Sequence, residues 1–169
     1  MTRKTSTYAK RRQPMARQFS LARELYANPT QPMAQEKRER QLLAMWAGLV
    51  ALEKSPQPTN DDWRVVSDAI NLMETLVEMG ECEDASGLLA DAVSAMGAAG
   101  DRAMRGLTLR LDGVGIQAVR AVLEDYAAVI AALPERTVIR AHRLTEIRII
   151  NLLVKHRRSD SEISVIDLR

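Results

Sequence analysis

Apolar residues recur every three or four positions through most of the chain, a spacing that predicts helices separated by Pro- and Gly-bearing turns. After Pro32, a polar start leads into Leu42, Met45, Trp46, Leu49 and Leu52, and Pro56 and Pro58 stop that helix. Thr59 stands three residues before Asp62, the spacing of a capping box with Asp in place of Glu. The helix it opens carries Trp63, Val66, Ile70, Met73 and Val77 on one stripe, leaves Asp68, Glu74 and Glu78 for its wet side, and meets a natural terminator at Gly80. Glu83 and Asp84 are expected to open another helix, turned or loosened at Gly97 and Gly100 and resuming before Asp112. Ile116, Val119, Leu123, Tyr126, Ile130 and Leu133 then define a narrow seam, suited to a bundle or a dimer and ended by Pro134. The last long helix, over 135–156, would turn Ala141, Leu144, Ile147, Ile150 and Val154 inward, with Arg140, Arg143 and Arg148 outward or sideways.

The flanks read less clearly. Residues 14–28 have a weak helical pattern through Phe19, Leu21, Ala22 and Leu25, open to docking on the body or to folding on a partner. The end alternates Ile163, Val165, Ile166 and Leu168 over too short a run to assign. The expected architecture is therefore all-α: an up-down bundle of four to six helices over 31–158, a basic N-terminal arm over 1–30 and a tail over 159–169.

Composition supports a core but narrows what fills it. Of 169 residues, 46% are hydrophobic, yet one Phe, two Trp and three Tyr leave most of the packing to aliphatic residues and Met. The formal net charge of +2 conceals a strong asymmetry, because residues 1–40 carry +7 and the remainder −5. Arg3, Lys4, Lys10, Arg11, Arg12 and Arg17 face no acidic residue before position 18, and Tyr8 among them can stack on an exposed base. A nucleic-acid contact would therefore be confined to this arm, whose plainer reading is a solubilising tail. From Asn60 to Asp91 nine acidic residues accompany Arg64 alone, which describes either a surface that steers a basic partner or the wet sides of ordinary helices.

No continuous apolar stretch of membrane-spanning length occurs, and the start lacks a signal peptide's apolar core. Cys82 is the sole cysteine, so no intrachain disulfide forms, in keeping with a cytoplasmic protein.

Candidate chemistry is sparse. His142 and Glu146 stand four apart on a helix, where they would share a proton relay or, more simply, a polar contact. Two groups are too few for a structural zinc site, and His156 is the only other histidine. Glu81, Glu83 and Asp84 around Cys82 disfavour a reactive thiolate. The GVG at 113–115 lacks the remaining glycine of a dinucleotide fingerprint and reads as a helix start. No metal or cofactor is expected, nor an enzyme, with a small His-Glu enzyme as the alternative.

The stretches RLDGVGIQAVRAVLEDYAAVIAALPERTVIRAHRLTE and DDWRVVSDAINLMETLVEMG resemble an uncharacterised family of small helical proteins encoded by proteobacterial phages, prophages and plasmids. The likeness spans residues 60–148 and is carried by Gly115, Ile116, Gln117, Ala118, Arg120 and Leu123, followed by Ala141, His142, Arg143 and Glu146. It implies a mobile-element accessory protein that binds a host or element-encoded complex as an inhibitor or regulator. In that reading Asp68, Glu74, Glu78, Gln117, Arg120, Arg140, His142, Arg143 and Glu146 are the candidate protein-binding residues, part of them forming a polar face between the last two helices. A homodimer and a nucleic-acid-associated regulator acting through the arm stand beside it.

Overall fold

In a computed structural model, residues 19–160 are described, with side chains as far as Leu152. They form six helices: α1 Leu21–Tyr26, α2 Gln35–Lys54, α3 Asn60–Glu78, α4 Leu89–Met104, α5 Gly113–Ala132 and α6 Glu135–Asp160. The architecture is an all-α bundle, and no strand occurs among the described residues. The seven arm residues proposed for nucleic acid, and the alternating tail, lie outside the described residues.

The helix ends follow from the sequence. Thr59 and Asp62 complete their capping box, with Thr59 Oγ1 accepting from the Asp62 amide at 3.2 Å and Asp62 Oδ2 accepting from the Thr59 amide at 2.8 Å. Those bonds to Thr59 hold the Asp62 carboxyl below its usual pKa. At the other end Gly80 takes φ +70°, which lets its amide reach Val77 O (2.9 Å) and the Glu81 amide reach Leu76 O (3.0 Å). Asp112 caps α5 by accepting from the Gly115 amide at 2.6 Å.

Helix α3 is the axis of the fold. It packs against α2, α4, α5 and α6, and its Val66, Ile70, Leu72, Met73 and Leu76 are fully buried. The predicted seams close around it through Met45, Leu49 and Leu52 of α2 and Val119, Leu123, Tyr126 and Ile130 of α5. Gly48 lets α2 approach closely, since a Cβ there would stand 2.5 Å from Val65 Cγ2 and 2.8 Å from Asp62 O.

Three expectations are corrected. Helix α4 begins at Leu89 rather than at Glu83, because Asp84 is engaged outside the helix, accepting from the Leu89 amide at 3.1 Å and from Ser86 Oγ at 3.3 Å. It then runs unbroken through Gly97 and Gly100. Gly100 makes room for the Trp63 ring, 3.3 Å from where a Cβ would be, while Trp63 Nε1 donates to Met96 O at 3.0 Å. No helix resumes after Gly106; the connection instead buries Leu109 and Leu111.

The second correction concerns order. Helix α6 follows α5 at Pro134 but packs on α3 and α1 instead of on α5. The polar face expected between α5 and α6 is accordingly divided: Arg120 pairs with Glu53 of α2 at 2.8 Å, whereas Arg143 pairs with Glu24 of α1 at 2.6 Å. Third, the buried residues of α6 are Val138, Ile139, Ala141 and Thr145, while Leu144, Ile147 and Ile150 are half-buried. A buried contact between the Thr75 and Thr145 hydroxyls, 2.7 Å apart, sets that rotation.

Residues 19–33 run along the first half of α6 as a strap. Its Gln31 and Asn28 carbonyls accept from the Glu135 and Arg136 amides at 2.8 and 2.9 Å, supplying partners that the first turn of a helix otherwise lacks. Arg136 also donates to Leu25 O and Ala27 O at 3.0 and 3.3 Å.

Gly48→Ala is expected to destabilise the protein by about 1–3 kcal/mol through overpacking. Gly97→Ala, with nothing within 4 Å of its Cβ position, is expected to stabilise it by about 0.5–1 kcal/mol through helix propensity. Urea unfolding of the two variants beside the parent checks both signs.

Candidate functional site

Helices α2 and α6 both lean on α3 and leave a cleft between them, about 370 Å³ in volume, with the strap along one side. Its walls are Lys37, Gln41, Ala44 and Met45 from α2, and Ile139, His142, Thr145, Glu146 and Ile149 from α6. Val65, Asp68 and Ala69 of α3, Tyr126 of α5, and Phe19, Arg23 and Met33 of the strap complete it.

The strap end of the cleft is built on stacked rings. Phe19 lies flat on His142, with centroids 4.3 Å apart and planes at 3°, and the Arg23 guanidinium carbon sits 4.7 Å from the Phe19 ring centroid. The Phe19 amide donates to Glu146 Oε2 at 3.3 Å. Burial, then the positive charges of Arg23 and Lys37, lower the pKa of His142 to about 4, so its ring is neutral at neutral pH. Lys37 itself is paired with Glu135 at 2.9 Å, and that contact lowers the Glu135 pKa.

Deeper in the cleft, the buried Tyr126 hydroxyl accepts from Gln41 Nε2 at 2.6 Å. Burial, with Asp68 adding its negative charge, raises the Tyr126 pKa and keeps the phenol protonated. Asp68 has an accessible side chain, yet its carboxyl pKa is raised by desolvation, opposed only by Arg64. Both hold because the wall of an open cleft admits water while surrounding the carboxylate with protein atoms. The neighbouring acids are spent differently: Arg148 reaches Glu74 at 2.6 Å, Glu78 at 3.2 Å and Asn71 O at 3.1 Å.

The nominated protein-binding residues thus separate by role. Glu74, Glu78, Arg120 and Arg143 engage in ion pairs, and Glu146 and His142 hold the strap. Asp68, Gln117 and Arg140 are exposed, with Asp68 alone of these three on the cleft wall. No family model matches the chain, and neither curated proteins nor solved structures give a match.

A second concave surface lies on the far side of α3. Trp63, Gly97, Gly100, Met104 and Leu109 line one shallow depression, and Pro56, Pro58, Leu107 and Leu109 an adjoining one. Met104 is 73% exposed and Leu107 62%. Asn60, Arg64 and Asp101 give the depression a polar margin.

Sequence reasoning missed the Phe19–His142 stack, the Gln41–Tyr126 bond and the Trp63 groove. Phe19 is the sole phenylalanine of the chain, the one signal that could have marked it. Cys82 behaves as expected: burial first, then Asp125, Glu81 and Asp84, raise its thiol pKa. No helix among the described residues is long and apolar enough to cross a membrane, and none of their side chains group as a metal site.

Because the folded-state pKa of His142 lies below its ordinary value of 6.5, its contribution to stability is fully present above that pH and is lost as pH falls toward about 4. His142→Phe, which keeps an aromatic ring against Phe19, is expected to lack this component. Urea unfolding of both proteins across that window should show a steeper acid-side loss in the parent, on the order of 2–3 kcal/mol.

Proposed function

We propose that this chain is a nonenzymatic accessory protein of a phage or other mobile element, acting by binding a host or element-encoded protein complex as an inhibitor or regulator. The observation that carries the binding part is the groove beside Trp63. Met104 stands open to solvent next to a half-exposed indole and two glycines, within the polar margin of Asn60, Arg64 and Asp101, and Leu107 stands open in the adjoining depression. Protein interfaces have this anatomy, with aromatic residues and Met at the centre and charge at the rim. The mobile-element part rests on the resemblance of residues 60–148, and a cytoplasmic setting fits the single cysteine.

The state of the His142 and Glu146 pair favours binding over chemistry. A general base works best with a pKa near the working pH and with access to its substrate, whereas burial and nearby positive charge lower the His142 pKa to about 4 and Phe19 covers its ring. Glu146 accepts the Phe19 amide. These contacts give the pair a structural role in seating the strap.

Affinity purification of the tagged chain from a host lysate, with nuclease present, tests the reading. A discrete protein should co-purify, and Met104→Glu combined with Leu107→Glu should reduce its recovery by about tenfold or more while the circular dichroism spectrum stays the same. Equal recovery with the folded variant would remove the groove from the function.

The charge of the first seventeen residues favours a second reading, a nucleic-acid-associated regulator. Six Lys and Arg without a counter-charge would neutralise backbone phosphates and give affinity that falls steeply with salt. Replacing all six by Gln in the full chain is expected to abolish both the binding to duplex DNA and its salt dependence, as read by fluorescence anisotropy.

A further inference from the structure

We infer that the cleft between α2 and α6 is a binding site for an organic cation, an alkylammonium or alkylguanidinium group with its hydrocarbon stem, and that Asp68 is its counter-ion. This site is separate from the groove beside Trp63 and does not rest on the function proposed for it.

The inference begins with the charges of the cleft. Lys37 is paired with Glu135 at 2.9 Å, Arg23 is held over the Phe19 ring at 4.7 Å, and Glu146 accepts the Phe19 amide at 3.3 Å. Asp68 differs from all of these. Among the described residues it accepts no hydrogen bond and forms no ion pair; Arg64 attracts its carboxylate, and its negative charge helps to keep the Tyr126 phenol protonated. Arg64 stands one helical turn away and is within 3.7 Å of Asp61.

A carboxylate set in a concave wall loses hydration and gains little from its distant neighbour, so a donor that carries positive charge is the complement that it lacks. Such a guest would also favour the charged carboxylate, because a cation within a few ångströms opposes the desolvation that raises its pKa.

Shape and lining restrict the remainder of the guest. A cleft of about 370 Å³ is the size of a small ligand or of one long side chain. Its non-polar walls include Met45, Val65, Ala69 and Ile149, against which a chain of methylene groups can lie with its charged head at Asp68. Met adapts to irregular guests of this kind. An anionic guest is disfavoured, since the two cations of the cleft are already engaged and Asp68 would repel it.

The same chemistry has two sources, a free amine and the Lys or Arg side chain of a peptide. Both are tested by titrating the full-length protein, labelled with nitrogen-15, at neutral pH. The probes are hexylamine, agmatine, and the capped amino acids N-acetyl-lysine methylamide and N-acetyl-arginine methylamide; hexanol and hexanoate serve as neutral and anionic counterparts.

Saturable shifts at the Gln41 side-chain amide and the Ala69 backbone amide are expected with the cations. Hexanol should bind more weakly by about tenfold, the factor of one charge-assisted hydrogen bond, and hexanoate should not bind. Asp68→Asn should weaken the cations by about the same factor and leave hexanol unchanged. Ala44→Trp, at an exposed position of the cleft wall, should block all of them in a protein with the parent's melting temperature. Tighter binding of the free amines assigns a small-molecule ligand, and tighter binding of the capped residues a peptide. Hexanoate binding as well as hexylamine, cation affinity indifferent to Asp68→Asn, or no saturable shift at these amides would each overturn the inference.

Discussion

Everything in this fold depends on α3 being enclosed. A nineteen-residue helix that touches four others must be apolar around most of its circumference, and Val66, Ile70, Leu72, Met73 and Leu76 meet that demand from both the stripe and its flanks. The polar residues left over then need partners on a neighbouring helix. Thr75 finds Thr145, and Glu74 and Glu78 find Arg148, so α6 is attached to α3 through hydrogen bonds and charge as much as through packing. A polar attachment has directional requirements that an oily one does not, and it fixes the rotation of α6.

That rotation creates the cleft. With α6 seated on α3 by Thr145 and Arg148, and α2 seated on α3 by the close approach at Gly48, the two outer helices diverge across Val65, Asp68 and Ala69. The strap contributes Phe19, Arg23 and Met33 to its wall. Sites in helical proteins commonly arise between helices in this way, from packing that satisfies two neighbours of a central element without bringing them together. The groove beside Trp63 has a different origin, since there it is the absence of side chains at Gly97 and Gly100 that keeps the surface low.

Helix existence was legible in the chain because periodicity and capping are local. The capping box at Thr59, the stop at Gly80 and the seam from Ile116 to Leu133 all reappear in the structure. Partner choice was not legible, because it depends on contacts between distant residues. Asp68, Glu74 and Glu78 share a polar face of α3, and periodicity assigns all three to solvent. Two of them lie under Arg148, contributed from seventy or more residues away, and the third lines the cleft. The pattern reported polarity correctly and could not report what covers it. Gly97 and Gly100 misled for a related reason: glycine weakens a helix locally, but the packing of Trp63 and the bond to Met96 O hold α4 continuous there.

The candidate site was half legible in the same sense. His142 and Glu146 were conspicuous as a pair on one helical face, and both contact Phe19, His142 through its ring and Glu146 through the backbone amide. A histidine that must stay neutral to remain stacked and buried is unsuited to exchanging protons near neutrality, however favourable its spacing to a carboxylate. Asp68 carries the opposite lesson. Nothing in its sequence neighbourhood distinguishes it from Glu74, and its distinction lies in lacking what Glu74 has, an arginine close enough to pair. Spacing along a helix nominates groups for chemistry; whether each is already satisfied is decided by the elements that pack across from it, and here the imidazole is stacked on Phe19 while the carboxylate lines the cleft.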